Sequence, residues 1–294
     1  MDPNSITHQK RVIFAGIARD CEKFLPNVLE EISSLSEIFI DSAFIFLEND
    51  SQDLTKKILN DWGQSKNNFT LLNMDGLGQL PIRTLRLEYL RNTYIEFIKK
   101  NDVISNFDYL LTLDMDDVNT EGLNIDRFIE SVQFLDAAAD RAAVFANQEG
   151  IYYDMWALRH KELCPGDIWE EALDFVDKFK LSDVEAYQKT FRKRILSFDK
   201  NRDFVEVDSA FGGIGIYKLS YVLNNPNPYL GSKVKVLMSA DKKVLISRMQ
   251  VCEHVHFHRG IRAIGGKLFI NPALINFKNK NENFNPSFFR SLLF

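Results

Sequence analysis

Cysteine is scarce in this chain. Three occur in 294 residues, Cys21, Cys164 and Cys252, far apart and with no Cys-x-x-Cys pair. An odd, scattered set provides neither a disulfide frame nor a zinc site and reads as reduced thiols. An excess of basic residues is missing as well. Lys and Arg number 36 against 41 Asp and Glu, for a formal net charge of −5 and a pI of about 5.6. That balance argues against the footprint of a nucleic-acid binder along a phosphate backbone. No apolar run approaches the roughly 18 residues of a membrane span. The first nine residues are polar and lack the apolar core of a signal peptide. No glycine loop carries the Lys and Ser/Thr of a phosphate-binding loop. What remains, 45% hydrophobic and 26% charged, is the composition of a globular protein with a sizeable core, built as one large domain or two intimately joined halves. The expected location is the cytoplasm.

The informative stretch is Phe107-Asp108-Tyr109-Leu110-Leu111-Thr112-Leu113-Asp114-Met115-Asp116-Asp117. A short apolar run, Tyr109 to Leu113, suits a strand buried on both faces, and it stops in three carboxylates within four residues. Open α/β sheets place their ligands at such carboxyl ends. Clustered carboxylates repel and raise one another's pKa unless a cation joins them, which a divalent metal shared with substrate phosphates would do. An acidic turn or helix N-cap is the plainer alternative.

The preceding hundred residues alternate strand and helix. Arg11 to Gly16 reads as a buried strand ending in small residues, and Phe24 to Leu35 as an amphipathic helix. Ala43 to Leu47 is a strand ending in Glu48-Asn49-Asp50-Ser51, Asp53 to Trp62 a helix, and Phe69 to Asn73 a third strand. This order predicts a parallel, right-handed βαβ sheet whose strand ends face one crevice. Glu48 and Asp50 could meet ribose hydroxyls there or cap the next helix. Arg83 to Lys100 predicts a helix with Arg83, Arg86 and Arg91 within about 140° of one another in projection. Their guanidinium forks suit a diphosphate, or form a solvated basic face paired with Glu88.

Asp126 to Asp140 reads as a helix and Ala142 to Ala146 as a strand. Tyr152-Tyr153-Asp154-Met155-Trp156-Ala157-Leu158-Arg159 mixes aromatic and charged groups, as carbohydrate sites do and as core aromatics also do. Asp167 to Phe198 is a charged helical region. A strand over Phe204 to Val207 leads into Asp208-Ser209-Ala210-Phe211-Gly212-Gly213, read as a loop beneath a ligand. Trp156, Gly212 and Gly213 are thus expected beside a ligand. Glu253, His254, His256 and His258 crowd together. On a strand the three histidines share a face and Glu253 does not. On a helix His254 and His258 share one. Gly265 to Pro272 reads as a turn and a last strand. The segment after Ile275, ending Phe288-Phe289-Arg290-Ser291-Leu292-Leu293-Phe294, could dock on the domain, on a partner or on a membrane surface.

Taken together these stretches resemble the nucleotide-sugar-dependent glycosyltransferases of the GT-A fold, particularly bacterial polysaccharide-type enzymes distantly like the fungal capsule-associated mannosyltransferases. The resemblance rests on Ala18-Arg19-Asp20-Cys21, Leu47-Glu48-Asn49-Asp50-Ser51, Arg83 to Asn92, Leu113-Asp114-Met115-Asp116-Asp117, the stretch Asp208 to Tyr217, and Cys252-Glu253-His254-Val255. It implies a mixed, mostly parallel α/β sheet flanked by helices. Residues 1–275 would form a single domain, with 1–120 the nucleotide-binding half and 121–275 the acceptor half, followed by a tail over 276–294. The implied activity is transfer of a hexose from a UDP- or GDP-linked donor to a glycan or lipid-linked acceptor, with Mn²⁺ or Mg²⁺. By the same resemblance Asp114 and Asp116 hold the metal, joined by His254 or His258. Ala18, Arg19, Glu48, Asp50 and Arg83 meet the donor, the ligand beside Trp156, Gly212 and Gly213 becomes the acceptor, and Glu253 or Asp208 supplies a base for the acceptor hydroxyl. One alternative is a haloacid-dehalogenase-like phosphatase with Asp114 as nucleophile. Against it, that motif normally opens its domain, and the later Gly-Asp-x-x-x-Asp pair is missing. A catalytically silent nucleotide- or carbohydrate-binding domain is the other.

Overall fold

A computed structural model describes residues 7–238 and 244–279. The first half follows the predicted alternation: β1 (Arg11–Ala18), α1 (Leu25–Ser36), β2 (Asp41–Glu48), α2 (Thr55–Gly63), β3 (Phe69–Asn73), α3 (Arg83–Lys99) and β4 (Tyr109–Asp114). Then come α4 (Ile125–Asp136), β5 (Arg141–Gly150), α5 (Ile168–Phe179), α6 (Asp183–Lys189), β6 (Val205–Val207), β7 (Ile214–Lys218) and α7 (Leu219–Leu223). The hairpin β8 (Ser232–Met238) and β9 (Val244–Gln250), α8 (Glu253–Ala263) and β10 (Lys267–Asn279) complete it.

Eight strands form one sheet in the order β3-β2-β1-β4-β7-β5-β10-β6. β3, β2, β1 and β4 run parallel to one another, as do β5 and β10, while β7 is antiparallel to both its neighbours and β6 to β10. The central strands are apolar over most of their length because both faces are covered, and their alternation divides the core in two. Ile13, Ala15, Ala43, Ile45 and Leu110 join α3 side chains such as Leu90, Tyr94 and Ile98 on one face. Val12, Phe14, Phe44, Phe46 and Leu111 join Val28 and Ile32 of α1 and Phe128 and Val132 of α4 on the other.

Four expectations change in detail. α4 stops at Asp136 rather than Asp140: Ala137 is its C-cap, and the chain then turns, Arg141 N–H donating to Ala138 O (3.3 Å), to enter β5. The charged region is two helices, α5 and α6, each with its own side-chain N-cap, Asp167 and Ser182. The histidine segment is a helix, which rejects the strand option: Glu253, His254, Phe257, His258 and Ile261 form its buried face. β10 runs on to Asn279, past the expected start of the tail. The rest of that tail, 280–294, lies outside the described residues.

Candidate active site

β1, β2 and β4 end side by side, with Ala18 beside Glu48 across one pair and Ile17 beside Asp114 across the other. The strand order reverses between β1 and β4, where an open α/β sheet leaves a crevice at its carboxyl edge. Asp114 is the last residue of β4, and its N–H donates to Gly213 O at 2.9 Å. Met115 turns inward, where Gly16 leaves room: a Cβ there would lie 2.5 Å from its sulfur. Asp116 then caps the turn Asp117–Asn119, accepting from Val118 N–H at 3.4 Å. The Asn119 amide braces the corner by donating to Asp114 O (2.8 Å) and Gly213 O (3.0 Å). Both aspartates therefore face one cleft because the backbone between them is fixed at both ends.

The cleft has two compartments. One, about 280 Å³, is lined by Ile17, Arg19, Asp20, Asn49, Arg83 and Arg86 together with Asp114 and Asp116. The second, about 230 Å³, is lined by Tyr153, Asp154, Trp156, Phe211, Glu253 and His254. Arg83, Leu87, Arg91, Asp114 and Asp116 border both. The acidic pair thus stands at the junction, with arginines on one side and a mixed polar-aromatic wall on the other.

Burial, and then the neighbouring Asp116, push the Asp114 carboxyl up to about 7, against the pull of Arg91 and Arg83. Asp116 is also raised, chiefly by burial. Arg91 lies beneath them. Its Nε donates to Glu253 Oε1 at 3.0 Å, and Nη2 is 3.8 Å from Asp114 Oδ1. Its guanidinium covers Phe211 and Tyr229. Burial alone would disfavour its charge, but Tyr94, Glu253, Tyr229 and Asp114 carry its pKa well above the ordinary value. The Tyr153 hydroxyl donates to Asp114 Oδ2 at 3.2 Å.

The cleft gathers several of the residues singled out in the sequence. Arg19 and Arg83 reach the first compartment, Trp156 and Glu253 the second. His254 enters the second compartment stacked on Phe211 at 4.1 Å, with neither ring nitrogen hydrogen-bonded although both are buried. Burial, then Arg91, hold its pKa well below the ordinary value, so the ring is neutral and its lone pair available.

Others are brought elsewhere. His258 spends both ring nitrogens on structural hydrogen bonds, Nδ1 to Ser209 Oγ and Nε2 to Tyr217 hydroxyl, each 2.8 Å, which leaves none for a metal. Asp208 borders two other hollows and pairs with Arg262 Nη2 at 2.5 Å, so it is no base for this cleft. Glu48 is buried, accepting from Ser51 N–H (2.7 Å) beside Lys56. Asp50 accepts from Gly76 and Gly78 N–H (2.6 and 2.5 Å), which fastens the loop before α3. Neither lines the cleft; Asn49, between them, does. Ala18 faces the core. Gly212 and Gly213 line neither compartment. Both have positive φ, and a Cβ on Gly212 would meet Ala146 O at 2.5 Å.

Asp154 was not singled out from the sequence. Its carboxylate accepts from Gly212 and Ala157 N–H, each at 3.2 Å, and burial raises its pKa. The only sequence signal was its place within an aromatic stretch.

Among the described residues no group of three or more His, Cys, Asp and Glu side chains already converges as a metal shell. The donors still fit a divalent cation. Two adjacent carboxylates carry a charge that burial penalises, and His254 offers an unpartnered nitrogen in the same cleft. Such a partial set suits a cation that takes its remaining ligands from phosphate and water.

The sheet order and the ligand crevice at its carboxyl edge define the GT-A fold. The structure is similar to the mannosyltransferase PcManGT from Pyrobaculum calidifontis in complex with GDP-Man and Mn²⁺, with a TM-score of 0.52 and 11% identity over 96% of this chain and 59% of that one. Weaker similarity is found to S. aureus TarS 1-349 in complex with UDP-GlcNAc (TM-score 0.47, 14% identity, 95% of this chain and 61% of that one). Glucosyl-3-phosphoglycerate synthase from Mycobacterium tuberculosis, in complex with Mn²⁺, UDP and phosphoglyceric acid, gives 0.45 and 11% over 96% and 74%. The chain spans about six-tenths of the length of the first two. No family model and no curated protein matches by sequence. At 11% identity the likeness to PcManGT establishes the fold alone.

The raised Asp114 pKa sets a pH dependence for the metal-free protein. Between the ordinary value of 3.8 and about 7 the folded chain keeps a proton that the unfolded chain has released, so stability falls as pH rises. Denaturant unfolding should show wild type losing about 2 kcal/mol relative to Asp114→Asn across this window, a discounted share of the ~1.4 kcal/mol per pKa unit. Added Mn²⁺ should remove the difference by stabilising wild type alone.

Proposed function

We propose that this chain transfers a hexose from a nucleoside-diphosphate sugar to a hydroxyl of a glycan or lipid-linked acceptor. The observation that carries this reading is the acidic pair at the junction of the cleft, with Arg19, Arg83 and Arg86 in one compartment and a polar-aromatic wall in the other. Three guanidinium groups against two carboxylates suit a diphosphate held through a cation. Asn49 and Asp20 border the same compartment and would take the nucleoside. When bound, a divalent cation supplies Lewis-acid stabilisation of the departing diphosphate.

In this reading Asp114 and Asp116 hold the metal, and His254 adds a nitrogen. Trp156, whose indole N–H is buried without a partner, offers a donor to a sugar hydroxyl in the second compartment. Two carboxylates can receive the acceptor proton. Glu253 is tied to Arg91, which orients it and competes for its oxygen. Asp154 is fixed only by backbone N–H groups, and its raised pKa suits a base working near neutrality. We therefore assign the base to Asp154 and the positioning of Arg91 to Glu253. A bacterial polysaccharide setting for the acceptor belongs to the same proposal and draws on the motif resemblance alone.

Titration calorimetry with UDP and GDP should give binding that strengthens at least about tenfold with Mn²⁺, an effect Asp116→Ala abolishes. Metal-independent binding unaffected by that substitution would overturn the site. Asp154→Asn should retain nucleotide affinity while donor-sugar turnover falls about 10²–10⁴-fold. Nucleotide binding without turnover for any donor in the wild type would favour the silent binding domain instead.

A further inference from the structure

Two segments run side by side away from the second compartment. Trp156 lines that compartment, Arg159 a hollow of about 350 Å³ and His160 a further one of about 700 Å³. α8 makes the same passage on the other wall. Its Glu253 and His254 face the second compartment, Val255, His256 and Arg259 the first hollow, and Arg262 both hollows. Cys252, the N-cap of α8, borders the compartment and the first hollow, and Asp208 borders both hollows. From Cys252 to Arg262 the helix rises about 15 Å, at 1.5 Å per residue, which exceeds the length of one sugar ring.

The charged side chains along this path come in pairs. Arg159 Nη2 donates to Asp167 Oδ2 at 2.8 Å, Lys233 Nζ to Glu170 Oε2 at 2.5 Å, and Arg262 Nη2 lies 2.5 Å from Asp208 Oδ1. Pairing leaves little net charge to draw an anion or a cation. Each pair nevertheless sets spare N–H donors beside spare carboxylate lone pairs. Burial, then Arg259, hold the His256 pKa below its ordinary value, so its neutral ring also offers one donor and one acceptor. A hydroxyl both donates and accepts, whereas a carboxylate only accepts and an ammonium only donates. Neighbouring hydroxyls on a sugar are therefore the groups that use such a lining fully.

We propose that the two hollows are further acceptor subsites and that the acceptor is an uncharged oligosaccharide, its reactive end in the second compartment and its following rings along α8. Asp208 and Arg262, which line both hollows, grip a ring remote from the reacting hydroxyl. A lipid-linked monosaccharide would lay its apolar chain against these ion pairs and strip them of water, which is costly. The assignment to an acceptor rests on the transferase reading. Binding of the oligosaccharide needs neither donor nor metal, so the two can fail separately.

The test is an array of immobilised uncharged and anionic oligosaccharides, from monosaccharides upward, probed with the full chain. Wild type should retain an uncharged series. Calorimetry with that series in solution should show affinity rising at least about tenfold from the monosaccharide to the longest member. Asp208→Ala combined with Arg262→Ala removes both charges of a pair whose side chains are 43% and 46% exposed, so the unfolding midpoint should not move. The double variant should lose about tenfold on the longest member and bind the monosaccharide, and UDP or GDP with Mn²⁺, like wild type. Retention of no glycan or of anionic glycans alone, affinity independent of length, or a double variant that binds the longest member like wild type would overturn the proposal. Failure of the transferase reading would appear instead in nucleotide binding, as indifference to Mn²⁺, with the length dependence intact.

Discussion

Two carboxylates fixed side by side at the end of a buried strand oppose one another, and burial compounds the cost. The chain accepts this cost at Asp114 and Asp116, and much of the surrounding structure answers it. Arg91 approaches from beneath, Tyr153 donates to Asp114, and Arg83 lies across the opening. None of these cancels the repulsion, since Asp114 still keeps its proton up to about 7. A cation in the cleft would complete the balance, and a diphosphate would in turn complete the cation's shell.

Arg91 is the second fixed point. A buried guanidinium is tolerated only when paired, and its partners come from distant parts of the chain, Asp114 from β4 and Glu253 from α8. Truncating either would leave a buried charge short of a partner. The same ion pair thus joins the strand that presents the acidic pair to the helix that presents His254. The loop over Gly212 and Gly213 makes a third tie, receiving Asp114 N–H on one carbonyl and donating to Asp154 from an amide.

Much of the fold was legible in the sequence because parallel sheets demand continuous apolar strands and helices demand a 3.6 period. β3 matches its predicted bounds, and β1, β2 and β4 differ at their ends by a few residues. The position of the acidic pair was legible because an apolar run that stops in carboxylates marks a strand end. Glu48 and Asp50 were misplaced for a local reason. Acids after a strand also receive turn N–H groups: Asp50 spends both oxygens on Gly76 and Gly78, Glu48 accepts from Ser51 on one, and Asn49 faces the cleft. The choice between His254 and His258 was not legible. Both occupy one helix face, and only the tertiary neighbours, Ser209 and Tyr217 against Phe211, decide which keeps free nitrogens. Asp154 lines the cleft and Asp208 does not, for the same reason: Arg262, 54 positions along the chain from Asp208, is what pairs with it.

The most direct measurement is anomalous diffraction from crystals grown with Mn²⁺ and a nucleoside diphosphate. The account predicts a manganese peak at about 2.0–2.2 Å from oxygens of Asp114 or Asp116 and of the diphosphate, with the guanidinium groups of Arg19 and Arg83 turned to the same phosphates. A nucleotide bound away from β4, or manganese held without either aspartate, would contradict it.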